Sequence, residues 1–248
     1  HRDLHYPLRR QRQMCIRDRS KQSHILASNI DLLVMVITIK DPITTTSFID
    51  RFLVNAEAYS IETLLVFNKY DIYDKEEQNK IDTLVEIYLN IGYKCLLTST
   101  INNFNISKLK EEVTKKTIMF GGHSGVGKTS LINAIDASLE LKVGDISSQH
   151  LQGKHTTTYA ELFDLDSNTK LIDTPGIKGF GLVNFKKEEI SDFFPEFLRE
   201  KNKCKFSNCL HLNEPNCRIK QMVKKNIISG SRYENYIQIL NDENLKHR

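Results

Sequence analysis

One octapeptide constrains the fold of this chain more than any other feature. Residues 122–129 read GHSGVGKT, after the apolar run TIMFG and before the helix-forming TSLINAIDA. A strand, a glycine-rich loop and a helix in this order form a phosphate-binding loop, whose backbone amides surround an anion at a helix N-terminus. Lys128 is placed to reach the β- and γ-phosphates of a nucleotide. The predicted contacting residues are Gly122, His123, Ser124, Gly125, Val126, Gly127, Lys128, Thr129 and Ser130.

A second motif supplies the acidic residue that such a loop requires. Asp173 ends the strand-like run KLID and opens DTPG, which closes at Gly176. We expect Asp173 to hold Mg²⁺ through a water molecule and the Thr129 hydroxyl to ligate the same ion. The Gly176 amide is expected to sense a γ-phosphate. D-x-x-G alone is a common turn, and the loop upstream makes a nucleoside triphosphate site the better interpretation.

The tetrapeptide NKYD at 68–71 predicts which base is bound, although it precedes the phosphate-binding loop. Asp71 can accept hydrogen bonds from both N1–H and the 2-amino group of guanine, so GTP and GDP are favoured over ATP. Asn68 can bond the outer edge of the base and brace the loop, and the stem of Lys69 can lie over the base plane. Ser99 and Thr100, at the end of the next strand, are expected to support the base.

The order of the motifs predicts a rearranged fold. Strand-like and helical patterns alternate along the chain, which indicates an α/β fold with a parallel-rich sheet covered by helices on both faces. The loops at the carboxyl edge of such a sheet meet in space whatever their order in the chain. We therefore predict a circularly permuted P-loop GTPase domain over residues 20–183, in which the NKYD half comes first.

The polar segment GKHTTT at 153–158 is expected to supply a switch threonine for Mg²⁺. We favour Thr157, with Thr156 as the alternative. Ile177 follows DTPG where Ras-type enzymes have a glutamine, so the group that positions the attacking water must come from elsewhere. His155 is the candidate, and a solvent-exposed histidine is the alternative. The predicted catalytic set is His155, Lys128 and Thr157.

Cysteines cluster near the C-terminus. The spacing Cys204-x4-Cys209-x-His211-x5-Cys217 brings three thiols and one imidazole within fourteen residues. A closed Cys₃His set suits one structural, tetrahedral Zn²⁺, and unconnected buried cysteines are the alternative. We assign residues 184–248 to a small helical zinc-binding module. It carries 13 Lys and Arg against 9 Asp and Glu, so its expected contacts are RNA phosphates or solvent.

The first nineteen residues stand apart from the rest. They hold six arginines against two aspartates and follow neither a helical nor a strand period. Because RRQRQMCIRDR resembles translated sequencing-adapter sequence, we expect residues 1–19 to be non-native, the alternative being a basic nucleic-acid-binding arm.

No apolar run reaches the ~18 residues that cross a bilayer. With no secretory signal pattern either, we expect a cytoplasmic protein that does not contact a membrane. We also expect the chain to be a monomer.

From about Ser20 to Leu240 the chain resembles the ribosome small subunit-dependent GTPase A family (RsgA/YjeQ). The resemblance rests on the permuted order together with GHSGVGKTSLIN, GKHTTT, DTPGIKGFG and CKFSNCLHLNEPNC. It implies a GTPase that acts late in small ribosomal subunit biogenesis, contacts that subunit and its rRNA, and is stimulated by it. It also implies that the histidine of HTTT, here His155, is catalytic.

The departures from the family pattern are modest within the GTPase domain. Lys154 replaces the usual arginine, His123 the usual Gln or Asn, and Thr129 the common serine. The family's N-terminal OB-fold is expected to be missing, which affects the expectation of ribosome binding but not that of nucleotide binding. The alternative function is a nucleotide-gated rRNA-binding assembly factor in which hydrolysis is incidental.

Overall fold

The structure, a computed structural model, describes residues 13–17, 23–136, 161–165, 168–173 and 186–241. Side chains are described from Asn29 onward, with the exception of residues 161 and 173. Within these ranges no helix is both long and apolar enough to cross a membrane. The strands are β1 (Gln13–Arg17), β2 (Ser23–Ser28), β3 (Leu32–Ile37), β4 (Glu62–Phe67), β5 (Lys94–Leu97), β6 (Thr117–Gly121), β7 (Glu161–Asp164) and β8 (Lys170–Asp173). The helices are α1 (Thr46–Ala58), α2 (Lys75–Ile91), α3 (Ile106–Val113), α4 (Lys128–Ile135), α5 (Lys187–Ile190), α6 (Pro195–Leu198), α7 (Arg218–Lys224) and α8 (Gly230–Leu240).

Six of these strands form one sheet in the order β5-β4-β3-β6-β8-β7. Neighbours run parallel except at one edge, where β7 is antiparallel to β8. Strand β3 pairs with β4 on one side and β6 on the other, so it lies between the strand before NKYD and the strand before the phosphate-binding loop. The predicted α/β fold with a parallel-rich sheet is confirmed.

Helices cover both faces of the sheet because β3, in the middle of the sheet, is apolar at every position. All six residues of β3 are buried, and successive side chains point to opposite faces. Leu33, Met35 and Ile37 of β3 join a core with residues of α1 and α2. Leu32, Val34 and Val36 join the core of the other face, which α3 and α4 complete. A continuous buried run is what a parallel strand covered on both sides requires.

A strand that the sequence patterns did not predict lies within residues 1–19. Strand β1 pairs antiparallel with β2, with a shift in register between Met14 and Cys15. This hairpin forms a sheet separate from the six-stranded one. The assignment of residues 1–19 as a non-native tract stays a prediction, as do the other two domain boundaries.

The C-terminal helices build a third core. Phe194, Phe197, Ile219, Tyr236 and Ile239 are buried together, with other apolar residues of helices α5 to α8. Val54 of α1 belongs to the same cluster, so the C-terminal helices pack on the outer side of α1. Helix α1 therefore separates the sheet from the C-terminal part of the chain.

Two sequence patterns have the spacing of a capping box, and one of them forms. The Asp74 side chain accepts a hydrogen bond from Glu77 N, and the Glu77 side chain accepts one from Asp74 N. The second pattern, Ser231 followed by Glu234, predicts a helix cap that does not form, because α8 already begins at Gly230. The Ser231 hydroxyl instead lies 2.9 Å from that of Ser229.

A buried group of charged residues joins α1 to the C-terminal helices. Arg232 of α8 donates to Asp50 of α1 at 2.7 Å and to both carboxylate oxygens of Glu196 at 2.8 and 3.1 Å. Asn235 and Tyr88 also donate to Asp50, at 2.6 and 2.8 Å. Burial raises the pKa of Asp50, and Arg232 together with Asn235 opposes that shift.

Removing the cation of this group should strongly destabilise the fold. Arg232→Ala leaves Asp50 and Glu196 buried without their partner, so we expect the free energy of unfolding to fall by about 3–5 kcal/mol in urea denaturation. Lys80→Ala is the control, because Lys80 forms an exposed pair with Glu76 that solvent screens. Its denaturation midpoint should equal that of the unsubstituted chain. An equal midpoint for Arg232→Ala would contradict the role assigned to the cluster.

Candidate functional site

The phosphate-binding loop connects β6 to α4, as predicted. Its glycines at 122, 125 and 127 have φ values of 138°, 83° and 96°. These values lie in the left-handed region that glycine adopts without steric cost. The Lys128 ammonium donates to the carbonyl oxygens of Gly122 and His123 at 2.9 and 2.8 Å. The loop is thus wound around the amine that we expect to contact the phosphates.

His123 packs against the first turn of α1. Its ring stacks on Phe48, with the two ring centroids 4.0 Å apart and the planes inclined by 28°. Burial and the nearby Lys128 charge lower the pKa of His123, so the ring is neutral at pH 7. Phe48 lies far from His123 in the chain, so no sequence motif indicates this contact.

The Asn68 side chain connects the NKYD segment to the phosphate-binding loop. Its Nδ2 donates to Val126 O at 2.9 Å, and its Oδ1 accepts from the Thr98 hydroxyl at 3.1 Å. Its backbone N donates to Ile37 O, at the end of β3. Asn68 and Thr98 are both buried. One amide therefore holds two loops at hydrogen-bond distance, although Asn68 and Val126 are 58 residues apart in the chain.

Asp71 and Ser99 also lie together, as their predicted roles require. The Ser99 hydroxyl donates to Asp71 Oδ1 at 2.5 Å. Asp71 is in a single 3₁₀ turn, Tyr70–Ile72, that begins after Lys69 in the left-handed conformation. Tyr70 stacks on Phe104 with ring centroids 5.6 Å apart, which ties this turn to the segment after Ser99. Thr100 follows Ser99 in a turn and is half-buried.

The magnesium side of the predicted site is described only in part. Thr129 is buried in the first turn of α4, beside Lys128. Asp173 is the last residue of β8, opposite Glu161 in the register, and its side chain is not described. His155, Thr156, Thr157 and Gly176 lie outside the described residues. The structure therefore brings together Asn68, Asp71, Ser99 and Lys128 but does not test the predicted magnesium ligands or the catalytic histidine.

The four residues of the cysteine cluster lie together at the C-terminal module. The Sγ atoms of Cys204, Cys209 and Cys217 and a ring nitrogen of His211 all fall within 4.8 Å of one another. His211 Nδ1 is 3.6 Å from Cys204 Sγ and 3.4 Å from Cys217 Sγ. A tetrahedral zinc ion with ~2.3 Å bonds to sulfur and ~2.0 Å bonds to nitrogen separates such atoms by about 3.6 Å. The geometry therefore fits a four-coordinate metal.

Surrounding residues hold this cluster in place. Glu214 accepts from the backbone N–H groups of Leu210 and Leu212, both at 2.8 Å, and so fixes the segment around His211. The Tyr233 hydroxyl of α8 donates to His211 O at 2.6 Å. Burial lowers the pKa of His211 to about 4, which keeps its imidazole neutral, as a metal ligand must be. Burial raises the pKa of Cys209 to about 12, so binding of a metal would displace a proton from this thiol.

Comparisons with known proteins agree with this geometry. A family model described as RsgA GTPase matches residues 8–183. The chain belongs to the RsgA GTPase family. A protein of Christiangramia forsetii named small ribosomal subunit biogenesis GTPase RsgA is 52% identical over 229 residues, which are 92% of this chain and 73% of that protein. The protein of the same name from Flavobacterium johnsoniae is also 52% identical, over 92% of this chain and 70% of its own length.

Two solved structures of related proteins share the fold. YjeQ from Thermotoga maritima is 34% identical with a TM-score of 0.75, over 94% of this chain and 82% of that one. YloQ, described as a circularly permuted GTPase, is 27% identical with a TM-score of 0.72, over 94% and 78% of the two chains. The predicted permutation of the GTPase domain is thereby confirmed, and the chain is a GTPase of this family.

The close approach of Asn68 to the phosphate-binding loop can be tested at Gly127. A Cβ atom at this position would lie 2.4 Å from Asn68 Nδ2, and the positive φ disfavours any side chain. We expect Gly127→Ala to break the bond from Asn68 to Val126 and to weaken GDP binding at least about tenfold, measured by calorimetry. Gly230→Ala is the matched control, because no atom lies within 4 Å of its Cβ position. Equal GDP affinities for the two variants would contradict this account of the loop.

Proposed function

We propose that this chain hydrolyses GTP as a late-stage biogenesis factor of the small ribosomal subunit, with the subunit stimulating its activity. The observation that carries the proposal is the hydrogen bond from Asn68 to Val126, in a chain that belongs to a GTPase family. It places the residues expected to read guanine beside those expected to hold phosphates. The names of the relatives, small ribosomal subunit biogenesis GTPases, support the subunit as the partner.

Guanine recognition is assigned to Asp71. Its Oδ1 accepts from Ser99, which orients the carboxylate and leaves its other oxygen and remaining lone pairs for the base. The carboxylate accepts from N1–H and from the 2-amino group of guanine. Adenine has an acceptor at N1 and no 2-amino group, so this carboxylate selects against ATP. Asn68 and Thr100 complete the edge of the base pocket, and Lys69 lies over its plane.

Hydrolysis is assigned to residues around the γ-phosphate. Lys128 neutralises charge on the β- and γ-phosphates, and the backbone of the phosphate-binding loop surrounds their oxygens. Thr129, Thr157 and Asp173 would hold Mg²⁺, which supplies further neutralisation of the phosphate charge when it is bound. Thr156 is the alternative to Thr157. His155 positions the attacking water, and the Gly176 amide responds to the γ-phosphate.

We assign Zn²⁺ to the Cys204–Cys209–His211–Cys217 cluster. Three thiolates and one imidazole fill all four positions of a tetrahedral ion, which leaves no open site for substrate. The role of the ion is therefore structural. It fixes the segment 204–217, whose own secondary structure is slight, against helices α6 and α8.

The C-terminal module offers a surface that suits rRNA. Lys203 and Lys205 flank Cys204, and Lys224 and Lys225 lie at the end of α7; all four lysines are exposed. The Lys205 ammonium lies 5.5 Å from the centre of the exposed Phe206 ring. In such an arrangement the cation can contact RNA phosphates, and the exposed aromatic ring can stack on an unpaired base. We propose that the chain acts in the cytoplasm as a monomer that contacts the small subunit through this module.

The decisive measurement is the rate of GTP hydrolysis with and without purified small subunits. We expect stimulation of the unsubstituted chain and its loss in His155→Ala. Asp71→Asn should lower GTP turnover. It should also allow turnover of xanthosine triphosphate, because the amide can donate to the 2-oxo group of xanthine. Unchanged GTP affinity in Asp71→Asn would contradict the assignment of the base. Nucleotide-dependent subunit binding without stimulated hydrolysis would favour the alternative, an assembly factor in which hydrolysis is incidental.

The metal assignment can be tested by elemental analysis. We expect the purified chain to contain about one zinc per molecule, and Cys217→Ser to lose most of it. Cys95→Ser is the matched control, because Cys95 lies in β5, outside the cluster, and should retain the metal. Iron in place of zinc, or equal zinc contents in the two variants, would overturn the assignment.

A further inference from the structure

The loop between β3 and α1 has a position that the motifs did not indicate. Strand β3 lies between β4, which ends before NKYD, and β6, which ends at the phosphate-binding loop. All three strands are parallel, so their carboxyl ends meet at one edge. The segment that follows β3 must therefore lie between the base-binding and phosphate-binding segments. We name residues 38–44 the β3–α1 loop.

Two threonines close this loop on itself. Thr44 N donates to Thr38 O at 2.8 Å, and Thr38 N donates to the Thr44 hydroxyl at 3.2 Å. The Thr38 hydroxyl donates to Pro42 O at 2.5 Å, across the interior of the loop. Both threonine side chains are buried, whereas the tip of the loop at Asp41 and Ile43 is exposed. The closing bonds therefore fix a tip that contributes little to the hydrophobic core.

The fixed tip contacts one neighbouring segment of the site and lies close to the other. The Asp41 carbonyl accepts a hydrogen bond from the Lys69 ammonium at 2.5 Å. On the other side, Pro42 Cδ lies 3.6 Å from the position of a Cβ on Gly125. Ile39 N donates to the Tyr73 hydroxyl at 3.3 Å, and that hydroxyl donates to Asn68 O at 2.9 Å. The loop is thus bound directly to NKYD.

Anchoring the ammonium of Lys69 also orders the methylene stem of this side chain. A free lysine side chain samples many rotamers, and ordering it on binding costs free energy. Lys69 is half-buried, and both ends of its side chain are held: the backbone by its left-handed conformation, the ammonium by Asp41 O. A stem that is already extended between two fixed points can cover a base without further ordering.

We infer that the β3–α1 loop is a positioning element of the nucleotide site, in which Thr38 and Thr44 hold the Asp41 carbonyl so that it anchors Lys69 over the base. The inference rests on the proposed guanine-nucleotide site. It adds Thr38, Thr44 and the carbonyl of Asp41 to the residues that determine affinity for the base. They act through Lys69 and not by contact with the nucleotide.

The test is a double-mutant cycle on GDP affinity, measured by calorimetry on the whole chain. Thr38→Val removes the hydroxyl that bonds Pro42, and Lys69→Met keeps the apolar stem but removes the ammonium. Each should weaken GDP binding about three- to tenfold, the range expected for one hydrogen bond. In the Lys69→Met background, Thr38→Val should have no further effect, because the anchored group is already gone. Thr38→Ser retains the hydroxyl and should bind GDP as the unsubstituted chain does.

A second variant and a kinetic measurement separate positioning from general destabilisation. Thr44→Val removes the other closing hydroxyl and should weaken GDP binding as Thr38→Val does. For both variants the KM for GTP should rise while kcat at saturating GTP stays unchanged, because the phosphate-binding residues are intact. Effects of Thr38→Val and Lys69→Met that add fully, or an unchanged GDP affinity in Lys69→Met, would overturn the inference. Failure of the unsubstituted chain to bind GDP would instead overturn the proposed function.

Discussion

The nucleotide site depends on one buried amide, that of Asn68. Its Nδ2 bonds the carbonyl of Val126 in the phosphate-binding loop, and its Oδ1 is fixed by the Thr98 hydroxyl. Because Thr98 donates to Oδ1, the amide is oriented with its NH₂ group toward Val126. The bond joins the end of β4 to the loop after β6, across β3. The bond depends on the spatial positions of the two segments and not on their order in the chain. The same site can therefore form in a circularly permuted domain.

Helix α1 connects this site to the metal cluster. One turn of the helix carries Phe48, whose ring stacks on His123 of the phosphate-binding loop, and Asp50, which bonds Arg232 and Asn235 of α8. Helix α8 in turn holds the metal cluster, since Tyr233 donates to His211 O. The phosphate-binding loop therefore contacts α1 directly, and the metal ligands are connected to α1 through α8. A displacement of α8 relative to α1 would therefore move the metal ligands relative to the phosphate-binding loop.

The sequence was sufficient for most features that are determined locally. The runs TIMFG and KLID coincide with β6 and β8, and the Asp74–Glu77 capping box forms because its partners are three residues apart. The metal cluster was also predictable, since its four ligands are close in the chain. Contacts over long separations were predictable only where a motif marks both partners, as for Asn68 and the phosphate-binding loop. Thr98, Phe48 and the β3–α1 loop have no motif, and their roles depend on which strand lies beside which.

One local pattern in the C-terminal part of the chain did not form, and buried contacts hold that turn of the chain instead. Ser231 and Glu234 have the spacing of a capping box, but α8 begins at Gly230, one residue earlier. Arg232 must face Asp50 and Glu196, and Tyr236 must face the apolar core of the C-terminal helices. These two buried residues are four apart and so lie on one face of the helix. A helix cap contributes about 1 kcal/mol to stability. Breaking a buried ion pair costs about 3–5 kcal/mol, so the contacts of Arg232 outweigh the missing cap.

The buried ion pair also explains how α8 acquires a unique position on α1. Apolar side chains of similar volume could fill the same space with equal stability, because burial of charge costs desolvation free energy. They would, however, allow helices to slide, whereas Arg232 satisfies Glu196 with two parallel bonds and Asp50 with a third only in one register. Tyr88 of α2 bonds the same Asp50 and fixes α1 from its other side. Directional bonds at this point thus set the orientation of the metal-binding module relative to the nucleotide site, and the apolar contacts around them supply the stability.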